Sequence, residues 1–572
     1  MNLQRPYRPE LLLLLTGLLA RLAFALLPFT SLLALLEDDA WMVTAIARNW
    51  ALGLGITADG INPTNGFHPL YPLTLGALPY LVAPANLDGG FRANLVICAV
   101  LATLALLPLY GLLRHLAPRP IALAGLAVSA LNPLAIRVTV NAMETALALL
   151  LLLVLWWLAL TRPPQTWRTA TLLGVVAALA ILARLDNAVA AGFVGLAILW
   201  DELRTRTLPR RTLAYGSTIA ILMIPYIVRN LLVFGAIGPS SGRALSYLHS
   251  YAESFAFTSL LQLVAYQTAL DLTWAPAWLL WLGLALLIWL SATTDATRRN
   301  QLVPALLYVV ALTFYYAYLQ QQGRERYYVA IGVVITMVVC AYFGGRQRKV
   351  PTAGENPTTR TDRENLHSTP WRAGASALGI ILLNTALFAQ YYTTALHDPG
   401  LTQPAMYTAA RWIASNLPPA APIGAQNSGI FQYYSERMVL NLDGKLNHEM
   451  VPILEQRALD RYMHTKGIRY LVDAPQIERY LAFYSASLAD APAHRELSSL
   501  GKLGTYTRMI AQRLRLGPPV ILDSGPFDPA TPIHMLRPFT AVATPVQSFP
   551  LPNDPSRAVV VYRLADTFGA AQ

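Results

Sequence analysis

Two adjacent carboxylates, Asp38 and Asp39, follow the first apolar run of the chain, and a turn-rich loop comes after them, Ile61-Asn62-Pro63-Thr64-Asn65-Gly66-Phe67-His68-Pro69-Leu70. Acids placed where an apolar helix leaves a bilayer point to chemistry at a membrane surface. A carboxylate can take the proton of a hydroxyl, and an imidazole can donate to a phosphate oxygen. The same residues have plainer uses. Negative charge is favoured at a helix amino end, so either aspartate can serve as a cap. Asn-Pro-Thr-Asn-Gly is strong turn chemistry with no further role required.

Further along, other groups collect at the ends of apolar runs. Asn141 and Glu144 open one run, and Arg184 and Asp186 lie between two short ones, where they can pair with each other. Ser240, Ser241 and Arg243 follow another run, and Arg324-Glu325-Arg326-Tyr327-Tyr328 precedes one. Ionisable side chains near membrane helix ends are costly unless they face a cavity or a partner. Positive charge is depleted from outward loops, so two arginines there need a reason; an anionic ligand supplies one, because guanidinium binds phosphate bidentately and stays charged.

The elements that must position these groups are set by composition. The 572 residues are 55% hydrophobic and 13% charged, too apolar for an ordinary soluble chain. Runs near the ~20 residues needed to cross a bilayer recur at about 10–30, 92–113, 120–135, 143–160, 169–184, 187–200, 212–233, 274–291, 302–320, 327–344 and 373–392. The first reads as an uncleaved signal anchor with Arg21 inside it. Segment 69–84 is interrupted by four prolines and short for a span, so it reads as re-entrant or interfacial. With that choice the arginine-rich loops at 114–119, 162–168, 204–211, 298–299 and 346–349 share one side, which the charge rule makes cytoplasmic. The net charge of +12 is accounted for by these loops and speaks against a nucleic-acid partner. The fold class expected is an α-helical polytopic membrane protein, with about eleven transmembrane helices plus interfacial or re-entrant ones and a C-terminal α/β extracytoplasmic domain. Its units are 1–395, with a first external loop at 37–90, and 396–572.

Within this frame Asp39 to about Leu52 has the spacing of an amphipathic helix lying along the interface, and 346–372 reads as a mobile cytoplasmic loop. The C-terminal unit shows a helical stretch at Ala409–Ile413, then strands at 423–425, 438–442 and 468–472, with later ones at 520–522 and 558–562. Asn441-Leu442-Asp443-Gly444-Lys445 could contact an acceptor or simply be a turn. Cys98 and Cys340, both in apolar spans, make neither a disulfide framework nor a thiolate metal site.

These residues resemble the GT-C superfamily of integral-membrane glycosyltransferases, the group of protein O-mannosyltransferases and aminoarabinose transferases. Asp38-Asp39-Ala40-Trp41 is similar to the acidic signature of that group's first external loop, and Asn65-Gly66-Phe67-His68-Pro69-Leu70 to the basic residue and proline that follow. Asn141-Ala142-Met143-Glu144-Thr145, Ala183-Arg184-Leu185-Asp186-Asn187, Gly238-Pro239-Ser240-Ser241-Gly242 and Arg324-Glu325-Arg326-Tyr327 resemble segments of bacterial members. The resemblance implies transfer of a sugar from a polyprenyl-phosphate donor to an acceptor hydroxyl on a glycan, lipid or protein, at the outer side of the plasma membrane. Asp38 would be the general base of an inverting displacement, with Asp39 beside it, and His68, Arg324 and Arg326 would contact the donor phosphate. Asn65, Glu144, Arg184, Asp186, Ser241 and Arg243 are substrate-binding or structural candidates. A divalent metal serves related oligosaccharyltransferases, yet no sharp ligand spacing stands here, so metal and cofactor remain unassigned. A transporter or flippase would place its charges near the bilayer midplane within repeated halves, and no such repeat is found; a non-catalytic component of envelope glycan assembly is the other alternative.

Overall fold

The computed structural model describes residues 9–250, 296–313, 315–316, 325–327, 329–347, 360–475, 477–490, 533–566 and 568–569. The apolar runs fold as helices, as uninterrupted Leu, Ala and Val stretches flanked by Pro and Gly breaks dictate. In order these are Pro9–Ala25 with Phe29–Leu35, Leu87–Leu104 with Leu106–Leu116, Arg119–Leu131 with Pro133–Thr139, Thr145–Thr161, Trp167–Ala183, Asn187–Arg204, Arg210–Phe234, Ala296–Thr313, Val329–Gln347 and Arg360–Leu396. The expected span at 274–291 lies outside the described residues. Among those described, three helices are long and apolar enough to cross a membrane, Leu87–Leu116, Arg210–Phe234 and Trp371–Leu396. The pairs Pro9–Ala25 with Phe29–Leu35 and Arg119–Leu131 with Pro133–Thr139 bend by 98° and 58° and would add two more if each is one span. Leu232 is 81% exposed and Trp371 64%, as expected of side chains facing lipid.

Segment 69–84 forms three pieces, Leu70–Leu73, a 3-10 turn Leu75–Ala77 and Leu78–Val82, each far too short to cross a bilayer. The stretch expected as a loop at 346–372 is helical from Arg360 onward, since Arg360–Leu396 is one helix with Pro370 inside it.

The C-terminal unit is a five-stranded mixed sheet with helices, in the strand order β2-β1-β3-β5-β4. Strands β1 (Ile423–Ala425), β2 (Val439–Asn441) and β3 (Tyr470–Asp473) run parallel, while β5 (Ala558–Leu564) is antiparallel to β3 and to β4 (Ala543–Pro550). Strand β4 lies at the edge, where its prolines interrupt no inner ladder. The run expected as a strand at 520–522 lies outside the described residues.

One helix corrects its sequence reading. Asp39–Ala51 does not lie on an interface with a wet face; Ala40, Trp41, Met42, Val43, Thr44, Ala45, Ile46, Ala47 and Asn49 are all buried. Helix Gly429–Ser435 of the C-terminal unit is buried along its whole length against it. Trp41 stacks on Phe91 at 4.9 Å between ring centres, and Tyr433 and Tyr434 complete the layer. The Tyr80 and Tyr433 hydroxyls meet at 2.8 Å. The amphipathic pattern was masked because the C-terminal unit covers the side that the spacing left for lipid headgroups.

Candidate functional site

Helix Phe29–Leu35 ends at Leu36, and Glu37, Asp38 and Asp39 lead straight into the next helix. Three consecutive acids at such a corner point in different directions. Asp38 does cap a helix, but not its own. Its two carboxylate oxygens accept the N–H groups of Gly429 at 2.9 Å and Ile430 at 2.8 Å, which open helix Gly429–Ser435. Gly429 is required there, since a Cβ would come within 2.3 Å of the Asp38 carbonyl oxygen. Burial between the units pushes the Asp38 carboxyl up to about 6, with the two amide bonds pulling the other way. A second buried acid, Asp473 at the end of β3, accepts the N–H groups of Gln426 and Asn427 at 2.6 and 2.9 Å. Burial raises it to about 7. The stretch 426–430 is therefore held by an acid from each unit.

Glu37 and Asp39 turn to Arg326, which forms ion pairs with both. Lys445, from the turn after β2, stands 3.9 Å from the other Asp39 oxygen and 3.0 Å from Asp443. Arg326 also donates to the Tyr327 hydroxyl at 3.2 Å and lies 5.0 Å from that ring's centre. Arg324 lies outside the described residues.

Tyr327 joins this group to a second, more deeply buried one. Its ring stacks on Tyr316 at 4.3 Å and is faced by the Arg184 guanidinium at 4.8 Å. Arg184 bonds Asp186 through Nε at 2.9 and 3.1 Å, Glu144 at 3.3 Å and the Tyr316 hydroxyl at 3.3 Å. Tyr316 in turn donates to Asp186 at 2.7 Å. The pairing of Arg184 with Asp186 is thus part of a larger network. Glu144 is presented by a strained turn in which Ala142 takes φ 57° while Asn141 accepts from the Met143 N–H and donates to Thr145.

His68 belongs to this second group. Its Nδ1 accepts the Leu185 N–H at 3.2 Å, which leaves the proton on Nε2, 3.9 Å from Glu144. Burial lowers its pKa, so it is a neutral N–H donor, not the cation that a phosphate contact by charge would need. Among the described residues no hydrogen bond or ion pair joins it to Arg326. Asn65 clasps the 238–240 loop, donating to the Gly238 carbonyl at 3.2 Å and accepting from the Ser240 N–H at 3.0 Å. Ser241 lies in the helix that begins there, Ser240–Ser250. Arg243 points elsewhere: exposed, it stands 4.0 Å from Glu455 on the C-terminal unit.

Among the described residues no group of three or more His, Cys, Asp or Glu side chains could hold a metal ion. The Glu37 and Asp39 oxygens that might have served already face Arg326 and Lys445, so the site as built does not fit a metal. Sequence reasoning passed over Glu37, Tyr316 and Asp473, and named Tyr327 only as part of its motif. Glu37 sat beside the acidic pair and could have been counted with it; the others carry no signal until the chain is folded.

Residues 86–228 match the family model described as dolichyl-phosphate-mannose-protein mannosyltransferase, and residues 393–513 match a domain of unknown function, DUF8728. No curated protein matches the chain. Among solved structures it resembles ArnT from Cupriavidus metallidurans bound to undecaprenyl phosphate, at 13% identity and a TM-score of 0.52, covering 85% of this chain and 96% of that one. It also resembles the Archaeoglobus fulgidus oligosaccharyltransferase in complex with Zn and sulfate, at 14% identity and a TM-score of 0.51, covering 83% and 69%. At these identities the structural likeness speaks to the fold. The fold, mostly helical with a small sheet in the C-terminal region, resembles that of GT-C membrane glycosyltransferases, as the sequence motifs led one to expect.

Proposed function

We propose that this protein is a glycosyltransferase of the plasma membrane that moves a sugar from a polyprenyl-phosphate donor to an acceptor hydroxyl at the outer face. In this reading 1–395 is the transferase unit and 396–572 an extracytoplasmic cover. The observation that carries it is the joining of Glu37 and Asp39, the residues on either side of Asp38, with Arg326 across almost three hundred positions of chain. Acids that could remove a proton stand next to a guanidinium that could meet a phosphate, and all are partly screened from water.

Asp38 is the general base. An acid raised to about 6 is ionised at neutral pH, yet basic enough to accept a hydroxyl proton as the glycosidic bond forms. Each of its oxygens receives one amide N–H, which orients it without using up its accepting capacity. Arg326 stabilises the charge that develops on the leaving phosphate. Asp39 and Glu37 hold that guanidinium in place, and the Glu144–Arg184–Asp186 network with Tyr316 and Tyr327 supports it from below. Displacement by a single base inverts the anomeric centre.

The test is Asp38→Asn in membranes supplied with a panel of labelled undecaprenyl-phosphate sugars. Transfer should fall to background while protein level and undecaprenyl phosphate binding persist. Undiminished transfer by the variant would remove Asp38 from the mechanism.

A further inference from the structure

Strand β2 ends at Asn441, and the chain turns through Leu442, Asp443 and Gly444 to Lys445. Gly444 takes a left-handed φ of 85°, and Asp443 accepts the Lys445 N–H at 2.9 Å. The Lys445 main chain is gripped from two further sides. Its carbonyl accepts the Ser240 hydroxyl at 3.1 Å, and Gly66 packs so closely that a Cβ would come within 1.7 Å of that carbonyl oxygen. Three segments far apart in sequence therefore fix where this one side chain starts. Its ammonium does not reach for water as a lysine on a turn ordinarily does. The side chain is only 17% exposed, with Nζ 3.0 Å from Asp443 and 3.9 Å from Asp39. Asp39 thus stands between Arg326 at one oxygen and Lys445 at the other.

We propose that the C-terminal unit supplies Lys445 as a catalytic cation that, with Arg326, receives the donor phosphate. This rests on the glycosyl-transfer reading above. In the transfer the acceptor oxygen bonds to the anomeric carbon as the bond from that carbon to the phosphate oxygen breaks. The electron pair stays on the phosphate oxygen, and the acceptor proton passes to Asp38. Polyprenyl phosphate leaves with one more negative charge than it carried as the sugar diester. A compact ammonium on a flexible stem can swing from Asp39 toward that oxygen while its backbone stays fixed. Glu37 and Asp39 already share Arg326, so a second cation beside Asp39 offsets carboxylate charge that would otherwise oppose the phosphate.

The experiment titrates undecaprenyl phosphate into the full chain held in lipid nanodiscs, comparing wild type with Lys445→Gln, Lys445→Met and Lys445→Arg. Either neutral variant should bind about ten-fold more weakly or worse, as loss of a charge-assisted hydrogen bond to phosphate implies, while Lys445→Arg keeps most of the affinity. Wild-type binding that both neutral variants retain in full would overturn the role of Lys445 and leave the glycosyl-transfer reading standing. A wild type that unfolds cooperatively yet does not bind undecaprenyl phosphate would overturn that reading, and this inference with it.

Discussion

Replacing Gly66 with alanine adds one methyl group at the place where the 61–70 loop meets the C-terminal unit. The new carbon would stand 1.7 Å from the Lys445 carbonyl oxygen, whereas real Cβ contacts are essentially never under 3.0 Å, so the two backbones must part by about 1.3 Å. Neither side yields easily: the Lys445 carbonyl is tied to Ser240, and Asn65 next door is tied to Gly238 and Ser240. Overpacking of this kind costs about 1–3 kcal/mol of stability. The effect on function should be larger in proportion, because a displacement of about 1 Å at a reacting centre can cost on the order of a hundred-fold in rate. Thermal unfolding of the purified protein, together with transfer from labelled undecaprenyl-phosphate sugar, reads both. If Gly66→Ala unfolds at the wild-type temperature and transfers at the wild-type rate, the three loops are not clamped together and the position of Lys445 is not set by them.

The acid limb of the pH–rate profile should fall off near the Asp38 value of about 6, and Gly429→Ala, which crowds Asp38, should shift that limb or abolish turnover. Stability should run the opposite way. Asp38 and Asp473 are raised in the folded state to about 6 and about 7, against roughly 3.9 unfolded, so the native protein holds protons that the unfolded chain has lost. The stability these two acids contribute is then fully present below about pH 4 and is lost as pH rises to about 7, by on the order of a kcal/mol per unit; an unfolding temperature that climbs between about pH 4 and 7 would contradict the assignment. Arg184→Met leaves Glu144 and Asp186 buried without their cation and should cost about 3–5 kcal/mol, measured by denaturant unfolding. His68→Gln, which can keep one N–H donor and one acceptor, should retain most activity at pH 7, whereas a cationic role would make the loss severe.

Much of the fold was legible because its signals are local. Apolar runs are read residue by residue, and four prolines in sixteen positions made 69–84 fail as a span without any knowledge of its neighbours. Arg184 and Asp186, two residues apart, could be paired on paper. The site was legible in its ingredients and not in its wiring. Asp38 was read as a cap of the helix it opens, but its side chain makes no such bond; the amides it does accept lie 391 and 392 positions away, so only the folded chain could name the helix. Helix Asp39–Ala51 kept a spacing suited to an interface, and the cover that buries its far side is encoded in the C-terminal half. Tyr316 and Tyr327 gave no warning of their role, because an isolated tyrosine at a span end carries no hint of the guanidinium it will face.

The grip of Gly429 and Ile430 on Asp38 has a practical corollary for engineering. A hybrid made by grafting another sheet-bearing half onto this helical half would aim Asp38 only where the graft carries a glycine and two open amides at the positions of Gly429 and Ile430. Hybrids without them should insert into membranes yet stay inert until those positions, and the lysine-bearing turn, are transplanted back together.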